Sequence, residues 1–281
     1  MDLLNFEEKQ IDNLENIADE LRIKSLEMIN RRGAGHPGGS LSAAEIIAAL
    51  YFKKMNIYPD IPNEANRDRF ILSKGHASAI LYAALAKKGY FDLEDLDDWG
   101  SLDCHLQGHP DRKKTPGVDV STGVLGHGVS VGAGIAMAAK LKKQDFQTYV
   151  LLGDGECQGG IVWEGFMTAF KHKLNNLTII IDYNNVQLDG CVDEIMPMEP
   201  FYDKLESFNL KVFEIDGHNI NEILTTLEKA DRIHDRPVAI LARTIKGCGV
   251  SFMENKCEWH GKPPSDKELE MAKKEIYERM N

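Results

Sequence analysis

The sequence predicts an α/β fold with a mostly parallel sheet and helices on both faces, and three features point to it. Short β-branched and apolar runs at 148–152 and 177–181 read as buried strands, because a strand covered on both faces loses the in-and-out alternation. A helical stretch at 161–174 lies between them, as a parallel crossover requires. Each strand ends in a polar group, Asp154 after the first and Asn184 after the second. In an open parallel sheet, ligands collect beyond the carboxyl ends of the strands, so these two side chains can converge on one point.

Taken in order, the apolar positions Ile11, Leu14, Ile17, Leu21, Leu26 and Ile29 predict an opening amphipathic helix over 6–29. A turn rich in glycine, 33–39, carries His36, and Ser40 or Ser42 is expected to cap a helix reaching about residue 54. A polar connector with Pro59 and Pro62 leads to a short strand at 69–73, then His76 and an alanine-rich helix at 79–87. Residues 92–116 lack periodicity and read as a long loop carrying Cys104, His105 and His109, which lack a fourth ligand and a familiar zinc spacing. The small residues of 129–141 predict a tightly buried helix. Strands at 210–215 and 237–244 with a helix at 220–233 extend the parallel pattern, a loop holding Gly247 and Gly249 follows, and a charged helix spans 265–280.

Length and composition set the bounds. At 281 residues the chain is expected to form a single domain over 1–281. A net charge of −11 argues against nucleic-acid and acidic-membrane partners. Five scattered cysteines without a CxxC pair argue against a disulfide framework and fit a cytoplasmic protein. Neither an export signal nor a bilayer-spanning run is expected.

The candidate site starts from Gly153, Asp154 and Gly155. A carboxylate and an amide oxygen at adjacent strand ends suit a hard cation such as Mg²⁺, which takes oxygen ligands together with phosphates and water. The two glycines are expected to allow positive φ and close approach of a bulky anion. Taken alone, the three residues would also fit an ordinary Asp-Gly turn. His76, at a strand-to-helix junction, is placed to face an anion held at the helix amino end.

Asp154 followed by Asn184 resembles the thiamine diphosphate motif, and further motifs extend the likeness. Gly33, Ala34, Gly35, His36, Pro37, Gly38 and Gly39 come first, then Leu72, Ser73, Lys74, Gly75, His76 and Ala77. Gly108, His109 and Pro110 follow, then Ser121, Thr122, Gly123, Val124, Leu125 and Gly126, and finally Trp259, His260, Gly261, Lys262 and Pro263. In that order they resemble the transketolase amino-terminal region over nearly the whole chain. The resemblance implies a thiamine diphosphate-binding fold with thiamine diphosphate and Mg²⁺ as cofactors. It implies Asp154, Asn184 and the Val186 carbonyl as metal ligands, with His76, Gly155 and His260 at the diphosphate. Gly123 and Leu125 would border the aminopyrimidine, and Leu188 would lie beneath the bend of the cofactor. His36 would contact substrate and phosphate, His109 would face the thiazolium and the donor sugar, and Lys74 and Lys262 are weaker anion contacts.

The implied reaction passes a two-carbon ketol unit from a ketose (phosphate) to an aldose (phosphate), with the electron sink on the cofactor. Transketolases continue into a pyrimidine-binding domain, which carries the glutamate that activates the cofactor ring, and then a carboxyl-terminal domain. The expectation is therefore a split enzyme whose partner, a carboxyl-terminal transketolase subunit, supplies those parts, with two copies of each chain. One position departs from the family: Gly159 stands where a glutamate of an inter-subunit carboxylate network is usual, although Glu164 is kept. The alternatives are another thiamine diphosphate enzyme, such as a 1-deoxyxylulose 5-phosphate synthase or a 2-oxoacid dehydrogenase component, or a non-catalytic cofactor-binding regulatory subunit.

Overall fold

The computed structural model describes residues 6–280. Five strands, β1 (Arg69–Leu72), β2 (Thr148–Gly153), β3 (Leu177–Tyr183), β4 (Lys211–Asp216) and β5 (Val238–Arg243), form one sheet in the order β1-β2-β3-β5-β4. Every neighbouring pair is parallel. The helices are α1 (Glu8–Arg32), α2 (Pro37–Leu41), α3 (Ala44–Ala49), α4 (Ser78–Lys88), α5 (His127–Lys142), α6 (Gly160–Lys171), α7 (Val192–Ile195), α8 (Phe201–Ser207), α9 (Ile220–Ala230) and α10 (Asp266–Met280).

Alternation along the strands divides the core in two, since successive side chains point to opposite faces. Phe70, Leu72, Tyr149, Leu151, Ile180 and Ile240 pack with α1, α3, α4 and α9. Ile71, Val150, Leu152, Ile179, Ile181 and Leu241 pack with α5, α6 and α8 on the other face. Both faces are covered, which explains the unbroken apolar runs. A third cluster joins Ile23 and Leu26 of α1 to Leu269, Ala272 and Ile276 of α10 around Trp259. It anchors the segment that carries His260.

Two local expectations are corrected. Neither serine caps a helix: the Ser40 hydroxyl donates to the His36 carbonyl (2.9 Å), and that of Ser42 to the Asp182 carboxylate (2.7 Å). The helix breaks after Leu41, resumes at Ala44 and widens into a π turn over Leu50–Lys54. Nor is α5 buried all round, because Leu141 is 79% exposed and a Cβ on Gly134 would meet nothing within 4 Å. Its small residues serve one face. A Cβ on Gly132 would come 2.6 Å from Val150, so that glycine lets the helix lie directly on β2. Cys104, His105 and His109 do not gather: His105 pairs with Asp95 and the Cys104 sulfur accepts from the Leu106 amide.

Candidate active site

The crossover from β2 to β3 runs through α6 on one face of the sheet, and that from β4 back to β5 runs through α9 on the other. Right-handed crossovers must change face when the direction of winding reverses. The reversal falls between β3 and β5, and a crevice at the carboxyl ends follows from it. A cavity of about 370 Å³ opens there.

Asp154 stands immediately past β2, with Oδ1 accepting from the Gly155 amide (2.7 Å) and Oδ2 from the Asn185 amide (2.5 Å). Burial, followed by the charge of Asp182, pushes its pKa up to about 6. Asn184 donates through Nδ2 to Asp182 (3.1 Å), while its Oδ1 accepts from the Val186 amide (3.1 Å). A carboxylate accepts only, so Asp182 decides which end of the amide is which. Asp182 also accepts from Lys74 Nζ (2.5 Å), Ser42 and Thr244. Burial alone would raise it, but Lys74 beside it prevails and holds it below the usual aspartate range.

Glu156 ties the glycine loop before α5 to the end of β2. Its oxygens accept from the Gly126 amide (2.7 Å), the Gly153 amide (3.1 Å) and the Ser73 hydroxyl. In that loop Gly123 takes φ +144°, and a Cβ there would come 3.1 Å from the His109 ring. A side chain would have to displace the imidazole.

Three histidines from three segments meet across the cavity, with ring centroids of His36 and His76 at 5.0 Å, His76 and His260 at 5.1 Å, and His36 and His260 at 5.4 Å. Burial pulls all three below the usual imidazole range, assisted by Lys74 at His76 and by Lys246 at His260, whose pKa falls to about 3. Near neutral pH they are uncharged, each with one donor and one acceptor nitrogen.

The cavity brings together His36, His76, Gly123, Leu125, Asp154, Gly155, Asn184, Val186, Leu188 and His260. His109 lines an adjoining hollow with Thr122, Gly123 and His127, its ring on the far side of Gly123. Neither Gly153 nor Gly155 has positive φ, contrary to the sequence expectation. Gly155 instead admits Gln187, whose Oε1 would lie 3.0 Å from a Cβ, and its amide is already bonded to Asp154. Lys74 is spent on Asp182, while Lys262 lies over Trp259 and pairs with Glu268, outside the cavity lining.

Sequence reasoning passed over Lys246, Asp182 and Glu156, all of which line the cavity. A signal for Lys246 was present: it opens the loop after β5, at the same edge of the sheet as Asp154 and Asn184. Its Nζ lies 2.7 Å from the Val186 carbonyl and 2.8 Å from His260 Nδ1.

Fold and cavity together define an α/β domain that takes its ligand at a switch point of a parallel sheet, through carboxylate, amide and imidazole groups. The family model for the transketolase thiamine diphosphate binding domain matches residues 13–278, and the chain belongs to that family as an amino-terminal transketolase subunit. It is 41% identical over 271 residues to one of the two kinds of chain in the apulose-4-phosphate transketolase of Phocaeicola vulgatus, covering 96% of each chain. It is 45% identical over 253 residues to a 6-deoxy-6-sulfo-D-fructose transketolase subunit from a Clostridium species, covering 90% of this chain and 92% of that one. Human transketolase is 36% identical over 98% of this chain, which spans 44% of the human protein. The crystal structure of the Campylobacter jejuni transketolase superposes with a TM-score of 0.89 at 34% identity, covering 98% of this chain and 43% of that one.

Proposed function

We propose that residues 1–281 form one cofactor-binding domain of a two-chain transketolase, which transfers a two-carbon ketol unit from a ketose donor to an aldose acceptor. The observation that carries this reading is the convergence of Asp154, Asn184, the Val186 carbonyl and the three neutral histidines on one cavity at the strand ends. Mg²⁺ fits the donor set, since all three candidate ligands are oxygens and a cation, the Lys246 ammonium, already stands on the Val186 carbonyl. Asp154, Asn184 and Val186 would hold the metal; His76, Gly155 and His260 would meet the diphosphate. When bound, thiamine diphosphate supplies the electron sink for cleaving the bond next to a ketose carbonyl. Gly123, Leu125 and Leu188 would support its rings.

The chain's own histidines then handle protons. His36 and His260, kept neutral, offer one donor and one acceptor each to sugar hydroxyls or phosphate. His109, exposed beside Gly123, is the group to take up the proton of the donor hydroxyl. Leu125 (49% exposed) and Leu188 (62% exposed) leave an apolar wall open to solvent, which supports a partner chain covering it. That partner would supply the pyrimidine-binding domain and the activating glutamate, in an assembly with two copies of each chain. Five free cysteines support a reducing compartment such as the cytoplasm.

The test is turnover with Mg²⁺ and thiamine diphosphate, for the chain alone and with its carboxyl-terminal partner. The donor panel includes ketose phosphates, apulose 4-phosphate and 6-deoxy-6-sulfo-D-fructose. Activity in the mixture only is expected. Full activity from this chain alone would overturn the two-chain reading, and cofactor binding without turnover on any donor would overturn the catalytic one.

A further inference from the structure

Lys246 is the cation of the cavity that has no acid partner. Its ammonium contacts two neutral acceptors, the Val186 carbonyl (2.7 Å) and His260 Nδ1 (2.8 Å), and among the described residues no carboxylate lies within ion-pairing distance of it. By contrast, Lys74, the other lysine of the cavity, is closed onto Asp182 at 2.5 Å. The Lys246 stem is fixed as well as buried. It runs against Gly38, where a Cβ would come 3.0 Å from Lys246 Cγ and 3.0 Å from the Trp259 carbonyl. The Gly247 amide donates to the Gly38 carbonyl (3.1 Å), pinning the loop that carries the lysine. Such a position is too constrained to be a chance contact of a flexible side chain.

An ammonium has donors and no acceptor, so its contact with His260 Nδ1 requires that nitrogen to be the acceptor. A neutral imidazole with an accepting Nδ1 carries its proton on Nε2. We propose that Lys246 is a positioning residue that locks His260 in the Nε2-protonated tautomer, so that His260 offers an N–H donor for an anionic group of the ligand. The proposal rests on the diphosphate reading of this cavity for the nature of the anion, but not for the tautomer. With Lys74 neutralised by Asp182, Lys246 also brings the cavity its unneutralised positive charge. One lysine thereby serves the anion twice, through its field and through the hydrogen bond donor it fixes.

The experiment is nitrogen NMR of the full chain with labelled histidine, with His260 assigned by its loss in His260→Asn. Wild type is expected to show His260 with a protonated Nε2 and an accepting Nδ1. Lys246→Met, which keeps the stem along Gly38 and removes the donor, should redistribute the proton between the two nitrogens. Lys246→Arg should restore the wild-type pattern. Inorganic diphosphate with Mg²⁺ should shift the His260 Nε2 signal in wild type and Lys246→Arg, and need about tenfold or more higher concentration in Lys246→Met. Protonated Nδ1 in wild type, or a tautomer unchanged in Lys246→Met, would overturn the proposal, and the wild-type spectrum decides this even if the variant misfolds. A correct tautomer with no response to diphosphate would instead overturn the diphosphate reading.

Discussion

Two buried polar clusters lie behind the same turn of chain, and they differ in how their charges are met. In the first, Arg22 donates through Nη1 to Asp19 (2.8 Å) and through Nη2 to both oxygens of Glu45 (2.6 and 2.7 Å). His218 completes it, facing Glu45 through Nδ1 at 3.0 Å while its Nε2 accepts from the Ile245 amide. Charge meets charge inside the protein, and no ligand is called for. In the second, at the strand ends, Lys246 and three imidazoles face neutral groups and a cavity, and Asp154 meets only backbone amides. The difference teaches how to read buried polar groups. A closed set holds the fold, while an open set awaits a partner of opposite charge.

Breaking the closed set should cost stability and leave the chemistry alone. Glu45→Gln leaves a fully buried guanidinium with one of its two acids, and about 3 kcal/mol is expected to be lost in denaturant unfolding. Cofactor affinity of the folded fraction should be unchanged. The same pair predicts a pH dependence. Burial alone would raise Glu45, but Arg22 and the His218 hydrogen bond prevail and hold it at about 2. A depressed carboxylate stabilises the fold above its unfolded pKa and loses that contribution as pH falls through the folded value. Wild type should therefore lose stability between about pH 5 and 2 more steeply than Glu45→Gln, as followed by melting temperature.

Breaking the open set should do the reverse. Asp154→Asn is expected to lower turnover of the two-chain assembly by about 100-fold or more, with a melting temperature near that of wild type. A large fall in melting temperature would place Asp154 with the closed set. Gly38→Ala tests both at once, because its Cβ would press on a backbone carbonyl and on the Lys246 stem. A loss of about 1–3 kcal/mol is expected, together with weaker diphosphate binding. The smallest effect belongs to Gly159→Glu. Its Cβ would lie 3.4 Å from the Glu156 carbonyl with open space beyond, so stability should change by no more than about 0.5 kcal/mol. Any change in turnover would then report on coupling between subunits.

The strands and the line of strand-end residues were legible because their signals are local: apolar runs of the right length, then Asp154 or Asn184. The ordered histidine motifs placed His36, His76 and His260 in one site, and their rings do meet. What was not legible depends on contacts distant in the chain. Asp182 looked like the last residue of a strand, and only the fold brings Lys74, Ser42 and Thr244 to its carboxylate. Lys246 looked like one more surface lysine before a glycine loop, until Gly38 and Trp259 were seen to hold its stem. The glycines of the central motif were misread for a related reason. Gly155 is required by Gln187 packing against it, which no local turn rule can reveal.

The most direct test of the open-site account is calorimetric binding of thiamine diphosphate with Mg²⁺ to the two-chain assembly, comparing wild type with Asp154→Asn. Metal-dependent binding in wild type, lost in a variant that still folds and assembles, is the predicted result. Equal binding by both proteins, or binding indifferent to Mg²⁺, would contradict the placement of metal and diphosphate at Asp154.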